Sequence, residues 1–98
     1  MPIHAPDEQV KHVSIKISGK VQGVYFRAST HDIAEKLNMK GFVRNEKDGS
    51  VHIEAEGGDE NLNQFIAWCK HGPPHAEVKN VVVEEGSVQG FTAFEIRR

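Results

Sequence analysis

Arg27 and Asn45 are the side chains of this sequence best placed to act on an anion. Arg27 closes the stretch Gly19-Lys20-Val21-Gln22-Gly23-Val24-Tyr25-Phe26-Arg27, where two glycines bracket a short loop between a strand-like and a helix-like pattern. Glycine lets the backbone adopt conformations in which successive N–H groups point inward. A helix N-terminus adds unpaired N–H groups and a partial positive charge. Together they make an anion cradle, with phosphate as its usual occupant. A cation in the first helical turn opposes the helix dipole by roughly 0.3 kcal/mol or more unless a bound anion compensates it. A guanidinium fork can hold two phosphate oxygens at once, a geometry that lysine cannot copy. The expected phosphate ligands are therefore Gly19, Lys20, Val21, Gln22, Gly23 and Val24 through the backbone and Arg27 through its side chain. The loop matches neither the Walker pattern nor Gly-x-Gly-x-x-Gly. Taken alone, it reads equally well as a tight strand-to-helix turn followed by a surface arginine.

The elements that must position these residues follow from periodicity. Val13, Ile15 and Ile17 alternate with His12, Ser14, Lys16 and Ser18, the pattern of a half-buried strand. From Tyr25 to about Met39 the period changes. Phe26, Thr30, Ile33 and Leu37 share one helical face with Ala34, and Asn38 and Gly41 are stop signals. The runs Gly41–Glu46 and Ser50–Glu56 flank Lys47-Asp48-Gly49, a hairpin signal. Val51, Ile53 and Ala55 alternate there with His52, Glu54 and Glu56, which predicts one wet face. Asp59 is expected to cap a second helix carrying Leu62, Phe65, Ile66 and Cys69, which Pro73-Pro74 stops near His71-Gly72. Val78–Glu84 is a fourth strand, and Phe91–Ile96 a short last one. This order, β-α-β-β-α-β plus a short strand, predicts an α+β ferredoxin-like sandwich: an antiparallel sheet with two helices on one face. Residues 1–9 read as a loose tail and 10–98 as one domain. In this arrangement the first two strands run parallel with the third between them, so the loop and Asn45 fall on one edge of the sheet. Asparagine also commonly opens a hairpin turn, and that reading of Asn45 stays open here.

Three segments together resemble the acylphosphatase family. Gly19 to Arg27 with Thr30 resembles its first signature, and Gly41-Phe42-Val43-Arg44-Asn45 with Asp48-Gly49-Ser50-Val51 its second. Gly72-Pro73-Pro74 with Ala76 and Val78 is similar to the segment after the second helix. The likeness spans about residues 10–96. It implies hydrolysis of acyl phosphates to carboxylate and phosphate. It also implies Arg27 as the phosphate-binding arginine, the 19–24 loop as the backbone cradle, and Asn45 as the residue that positions water. No metal or cofactor is implied. Tyr25 stands where the family often has another aromatic or a small residue, a change at the pocket rim.

Composition narrows the alternatives. The net charge of -2 makes the chain no general attractant for nucleic acid. No apolar run approaches the ~20 residues needed to span a bilayer. The N-terminus lacks the basic and apolar regions of a signal peptide. The single cysteine, Cys69, cannot form an intrachain disulfide. A cytoplasmic monomer acting on a small acyl phosphate, with no nucleic-acid or membrane partner, is the expectation. The enzymatic alternative is a carbamoyl-phosphate-processing domain, as in hydrogenase-maturation carbamoyltransferases, against which the length of 98 residues argues. The non-enzymatic alternative is a ferredoxin-like binding module. An RNA platform would want aromatics on the exposed sheet face, where His12, Ser14, Lys16, His52, Glu54 and Glu56 supply none. The six histidines are too scattered for a zinc site. Cys69 on an apolar helical face reads as a buried thiol, and Glu54, Glu56, Asp59 and Glu60 as a solvated surface.

Overall fold

Val13, Ile15 and Ile17 face Ala55, Ile53 and Val51 across an antiparallel ladder, and all six side chains are buried. That seam is the centre of the core in the computed structural model, which describes residues 9–98. Apart from Gln9, the expected tail lies outside the described residues. The elements are β1 (Val10–Lys20), α1 (Phe26–Lys36), β2 (Lys40–Asn45), β3 (Val51–Gly58), α2 (Asp59–Cys69), β4 (Glu77–Gly86) and β5 (Phe94–Arg97). They form one sheet in the order β4-β1-β3-β2-β5. Both helices cover one face, burying Phe26, Thr30 and Ala34 from α1 and Leu62, Phe65 and Cys69 from α2. This is the expected ferredoxin-like sandwich. The added β5 pairs parallel with β2, so the sheet is mixed. No helix among the described residues is long and apolar enough to cross a membrane.

Several boundaries differ from the periodic pattern for local reasons. Asn38, at φ 57, ends α1 in a left-handed turn, with Met39 N–H on Ala34 O and Asn38 N–H on Glu35 O. This Schellman arrangement satisfies the last carbonyls. Gly41 is not a helix stop. It lies inside β2, where a Cβ would sit 1.8 Å from the Glu54 carbonyl oxygen. Gly58, not Asp59, caps α2, and Asp59 and Glu60 occupy the first turn, where they favour the helix dipole. Burial pushes the Cys69 thiol up to about 12, which leaves it inert.

The outer face of the sheet is drier than the alternation implies. His12 and Glu56 are buried, and Glu54 is largely so. His12 donates from Nδ1 to Glu56 at 2.7 Å and from Nε2 to Glu54 at 2.5 Å. Glu54 also accepts from Ser14 and His52, and Glu56 from the N–H groups of Gln89, Gly90 and Phe91. Burial disfavours each charge. The hydrogen bonds outweigh it, raising the His12 pKa and lowering those of both glutamates. The solvated-surface expectation for Glu54 and Glu56 therefore fails. The segment between β4 and β5 folds back over this face, a long-range contact with no periodic trace. The face also carries two aromatics that strand parity in β1 and β3 did not reveal. Phe42 meets Phe91 edge-on and lies under the Arg97 guanidinium, 4.0 Å from the ring centroid. Phe42 is thus covered, not offered as a stacking platform.

Candidate active site

β1 and β2 both run antiparallel to β3, and Ile17 and Asn45 both pair with Val51. The two strands therefore end at the same edge of the sheet, on either side of β3, and the loop leaving β1 starts at the edge where Asn45 ends β2. Gly19, at φ 128, starts this exit. A Cβ there would sit 2.1 Å from the Glu77 carbonyl oxygen, so only glycine allows β4 this close. Val21 and Val24 point into the core and anchor the loop, while Gly23 takes φ 74. Tyr25 is left-handed as well, at φ 62, and immediately precedes α1.

The start of α1 is bare. No side chain caps it, and its first turn holds no acidic residue. Among the described residues, the N–H groups of Gln22, Gly23, Val24 and Tyr25 donate to no loop carbonyl or side chain. A cluster of unpaired donors at a positive helix end is a seat for an anion. The Gln22 side chain does something the sequence did not suggest. Its Nε2 donates to Glu46 O at 2.8 Å and Ser50 O at 2.9 Å, tying the loop to the hairpin that carries Asn45. Asp48 accepts from both the N–H and the hydroxyl of Ser50 and pairs with Lys16 at 2.9 Å, which holds its carboxyl well below the usual range.

Arg27, the second residue of α1, lines a cleft of about 450 Å3 together with Val21, Gly23, Tyr25, Phe26, Asn45 and Ile96. Its Nη1 donates to the Arg97 carbonyl at 3.0 Å. One bond from β5 thus steadies the fork and leaves its other N–H groups for a ligand. Asn45 lines the same cleft, and its Oδ1 is buried and without a hydrogen-bond partner among the described residues. An unpaired buried oxygen costs about 1–3 kcal/mol, so a ligand or water at that point is the physical expectation. The sequence-predicted residues are thus brought together, with three qualifications. Val21, Gly23 and Arg27 line the cleft beside Asn45, whereas Gly19, Lys20, Gln22 and Val24 do not. Gln22 contributes through its side chain as well as the loop. Ile96 and the Arg97 carbonyl belong to a strand whose parallel pairing carries no local sequence signal. Among the described residues no group of three or more His, Cys, Asp or Glu is arranged to hold a metal ion.

Comparison with known proteins gives the family and the fold. The Acylphosphatase family model matches residues 13–96. An acylphosphatase of Rubrobacter xylanophilus is 46% identical over 90 residues, covering 91% of this chain and 82% of the relative. The structure of an acylphosphatase from Coxiella burnetii superposes with a TM-score of 0.89 at 36% identity, covering 93% of this chain and 96% of the other. Full-length HypF, in its phosphate- and nucleotide-bound form, contains a similar unit. There the TM-score is 0.83 at 33% identity, over 92% of this chain but only 12% of HypF.

Proposed function

Because this chain belongs to the acylphosphatase family, a family of enzymes, we propose that its cleft hydrolyses the carboxyl–phosphate bond of acyl phosphates by direct attack of water on phosphorus. The observation that carries this reading is Asn45, its buried Oδ1 unpartnered among the described residues, lining the same cleft as Arg27 and the bare start of α1. The phosphoryl oxygens sit against the backbone N–H groups of the 19–24 loop and the Arg27 fork, which meet their negative charge. Asn45 Oδ1 accepts a hydrogen bond from water and orients it. An amide cannot take the proton, so Asn45 positions the nucleophile, as glutamine does in GTPases. A new P–O bond forms from water while the bond to the acyl oxygen breaks, and its electron pair leaves with the carboxylate. That leaving group is a weak base and needs no general acid. The water proton passes to a phosphoryl oxygen. Positioning and charge stabilisation supply most of the catalysis in such a transfer, and the residues present suffice without a metal.

The test is hydrolysis of acetyl phosphate and benzoyl phosphate with a chelator present, in water labelled with heavy oxygen. Turnover with the label in phosphate is expected. Absence of turnover sinks the enzyme reading, loss to the chelator sinks the metal-independent mechanism, and label in the carboxylate sinks attack at phosphorus. Carbamoyl phosphate, the enzymatic alternative raised by the sequence, is the second reading. It is the same class of anhydride, and faster turnover of carbamoyl than of acetyl phosphate in this assay would support it.

A further inference from the structure

We infer that Tyr25 and Ile96 form the acyl-group wall of this cleft and select acyl phosphates whose acyl group is aromatic or otherwise bulky and apolar. The inference rests on the acyl phosphate reading above and adds the substrate class to it.

Tyr25 is hard to explain by folding alone. Its backbone is left-handed, at φ 62, a region where an aromatic L-residue is strained and glycine is not. Gly23, two residues earlier, shows that this loop can place glycine at such a point. The tyrosine gains no burial in return, since its side chain is 81% exposed. It supplies no side-chain cap to α1 either. Strain held at an exposed position beside a site is an argument for function there.

Ile96 supplies the second half. It pairs with Val43 in the β2–β5 ladder, yet it is 47% exposed. Both residues line the cleft that holds Arg27 and Asn45. An exposed aromatic and an exposed aliphatic side chain beside an anion seat have nothing to offer phosphate, which is fully charged. They suit the other half of the substrate, the group carried on the carboxyl carbon. Rings pack edge-to-face or offset on tyrosine and flat against branched aliphatics.

The test compares kcat/KM for benzoyl phosphate and acetyl phosphate in the wild type, Tyr25→Phe, Tyr25→Gly and Ile96→Ala. Glycine relieves the left-handed strain, so Tyr25→Gly is expected to fold at least as stably as the wild type. The benzoyl-to-acetyl ratio should favour benzoyl in the wild type. It should fall about 5- to 10-fold in Tyr25→Gly and about 3-fold in Ile96→Ala. The loss should appear mainly in KM for benzoyl phosphate. Tyr25→Phe, which keeps the ring, should keep the ratio. Inorganic phosphate should inhibit Tyr25→Gly at the wild-type concentration. A wild type that does not prefer benzoyl, an unchanged ratio in Tyr25→Gly, or weakened phosphate inhibition in that variant overturns the assignment while leaving acyl phosphate hydrolysis standing. A wild type that hydrolyses neither compound overturns both.

Discussion

Two regions of this molecule bury polar side chains and treat them in opposite ways. On the outer sheet face, Glu56 takes hydrogen bonds from His12 and three backbone N–H groups, and Glu54 from His12, Ser14 and His52. At the ends of β1 and β2, Asn45 Oδ1 has no partner among the described residues, α1 starts without a side-chain cap, and Tyr25 is left-handed. The fold can satisfy polar groups, as the first region shows, and under the proposed function phosphate and water would satisfy those at the second. A saturated network serves the folded state, and an unsaturated one awaits a ligand.

The strongest way to break this contrast is Arg27→Ala. Its side chain makes one hydrogen bond among the described residues, to the Arg97 carbonyl. Unfolding free energy should therefore move by no more than about 0.5 kcal/mol. Turnover of acyl phosphates should fall by about 10³-fold or more, the scale of a lost phosphate-clamping arginine. Inhibition by inorganic phosphate should disappear with it. Phosphate that still inhibits Arg27→Ala at wild-type concentrations would show that the cradle lies elsewhere.

Asn45→Ala should separate binding from chemistry. Expected is a drop in kcat of about 10²–10³-fold with phosphate inhibition retained. Stability should hold or rise by about 1 kcal/mol, because the substitution removes a buried oxygen that nothing satisfies. Urea unfolding decides between the two accounts: a clear loss of stability would mean that Asn45 belongs to the fold and not to the reaction.

Glu56→Gln should give the reverse profile. Removing the charge leaves His12 with one carboxylate, Glu54, in place of two and weakens three backbone contacts. Breaking a buried ion pair in this way costs about 3 kcal/mol. Activity of the protein that remains folded should not change. A variant as stable as the wild type would mean that the outer cluster is ornamental, and the contrast between the regions would lose one side.

What the sequence disclosed follows the same division. Residues whose role is set by local pattern were legible: the β1 and β3 alternation, the α1 stripe through Phe26, Thr30 and Ala34, and the glycines that let the loop turn. Arg27 and Asn45 were singled out by the resemblance to the family's two signatures, with topology bringing the ends of β1 and β2 to one edge; pattern alone left a surface arginine and a turn asparagine equally open. What escaped depends on long-range packing. Glu56 sits at a polar parity, and only the segment around Gln89–Phe91 folding back makes it a buried hub. Gln22 lies in the loop, but its role requires the carbonyls of Glu46 and Ser50, set across a hairpin. Ile96 reaches the cleft only because β5 pairs parallel with β2.

The smallest expected effect sharpens the contrast through pH. Burial alone would lower the pKa of His12, but its bonds to Glu56 and Glu54 and their charges raise it above the ordinary 6.5. The folded state then holds the proton more tightly than the unfolded chain. The stabilisation from His12 is fully present below 6.5 and fades as pH rises through the folded-state pKa. The two glutamates act in the opposite sense. Burial raises them, but their hydrogen bonds prevail and hold them below the ordinary 4.5. Their contribution is present above 4.5 and fades as pH falls through the folded values. The cluster therefore stabilises most between these limits. A tenfold difference in proton affinity between the folded and unfolded chain is worth about 1.4 kcal/mol. Urea unfolding of the wild type between about pH 6 and pH 9 should show stability declining with pH, and the decline should flatten in His12→Gln. If stability instead rose over that range, and the slope were the same in both proteins, His12 would be buried neutral. The outer cluster would then share the unsatisfied character of the cleft, since one of its carboxylates would face an imidazole nitrogen without a proton.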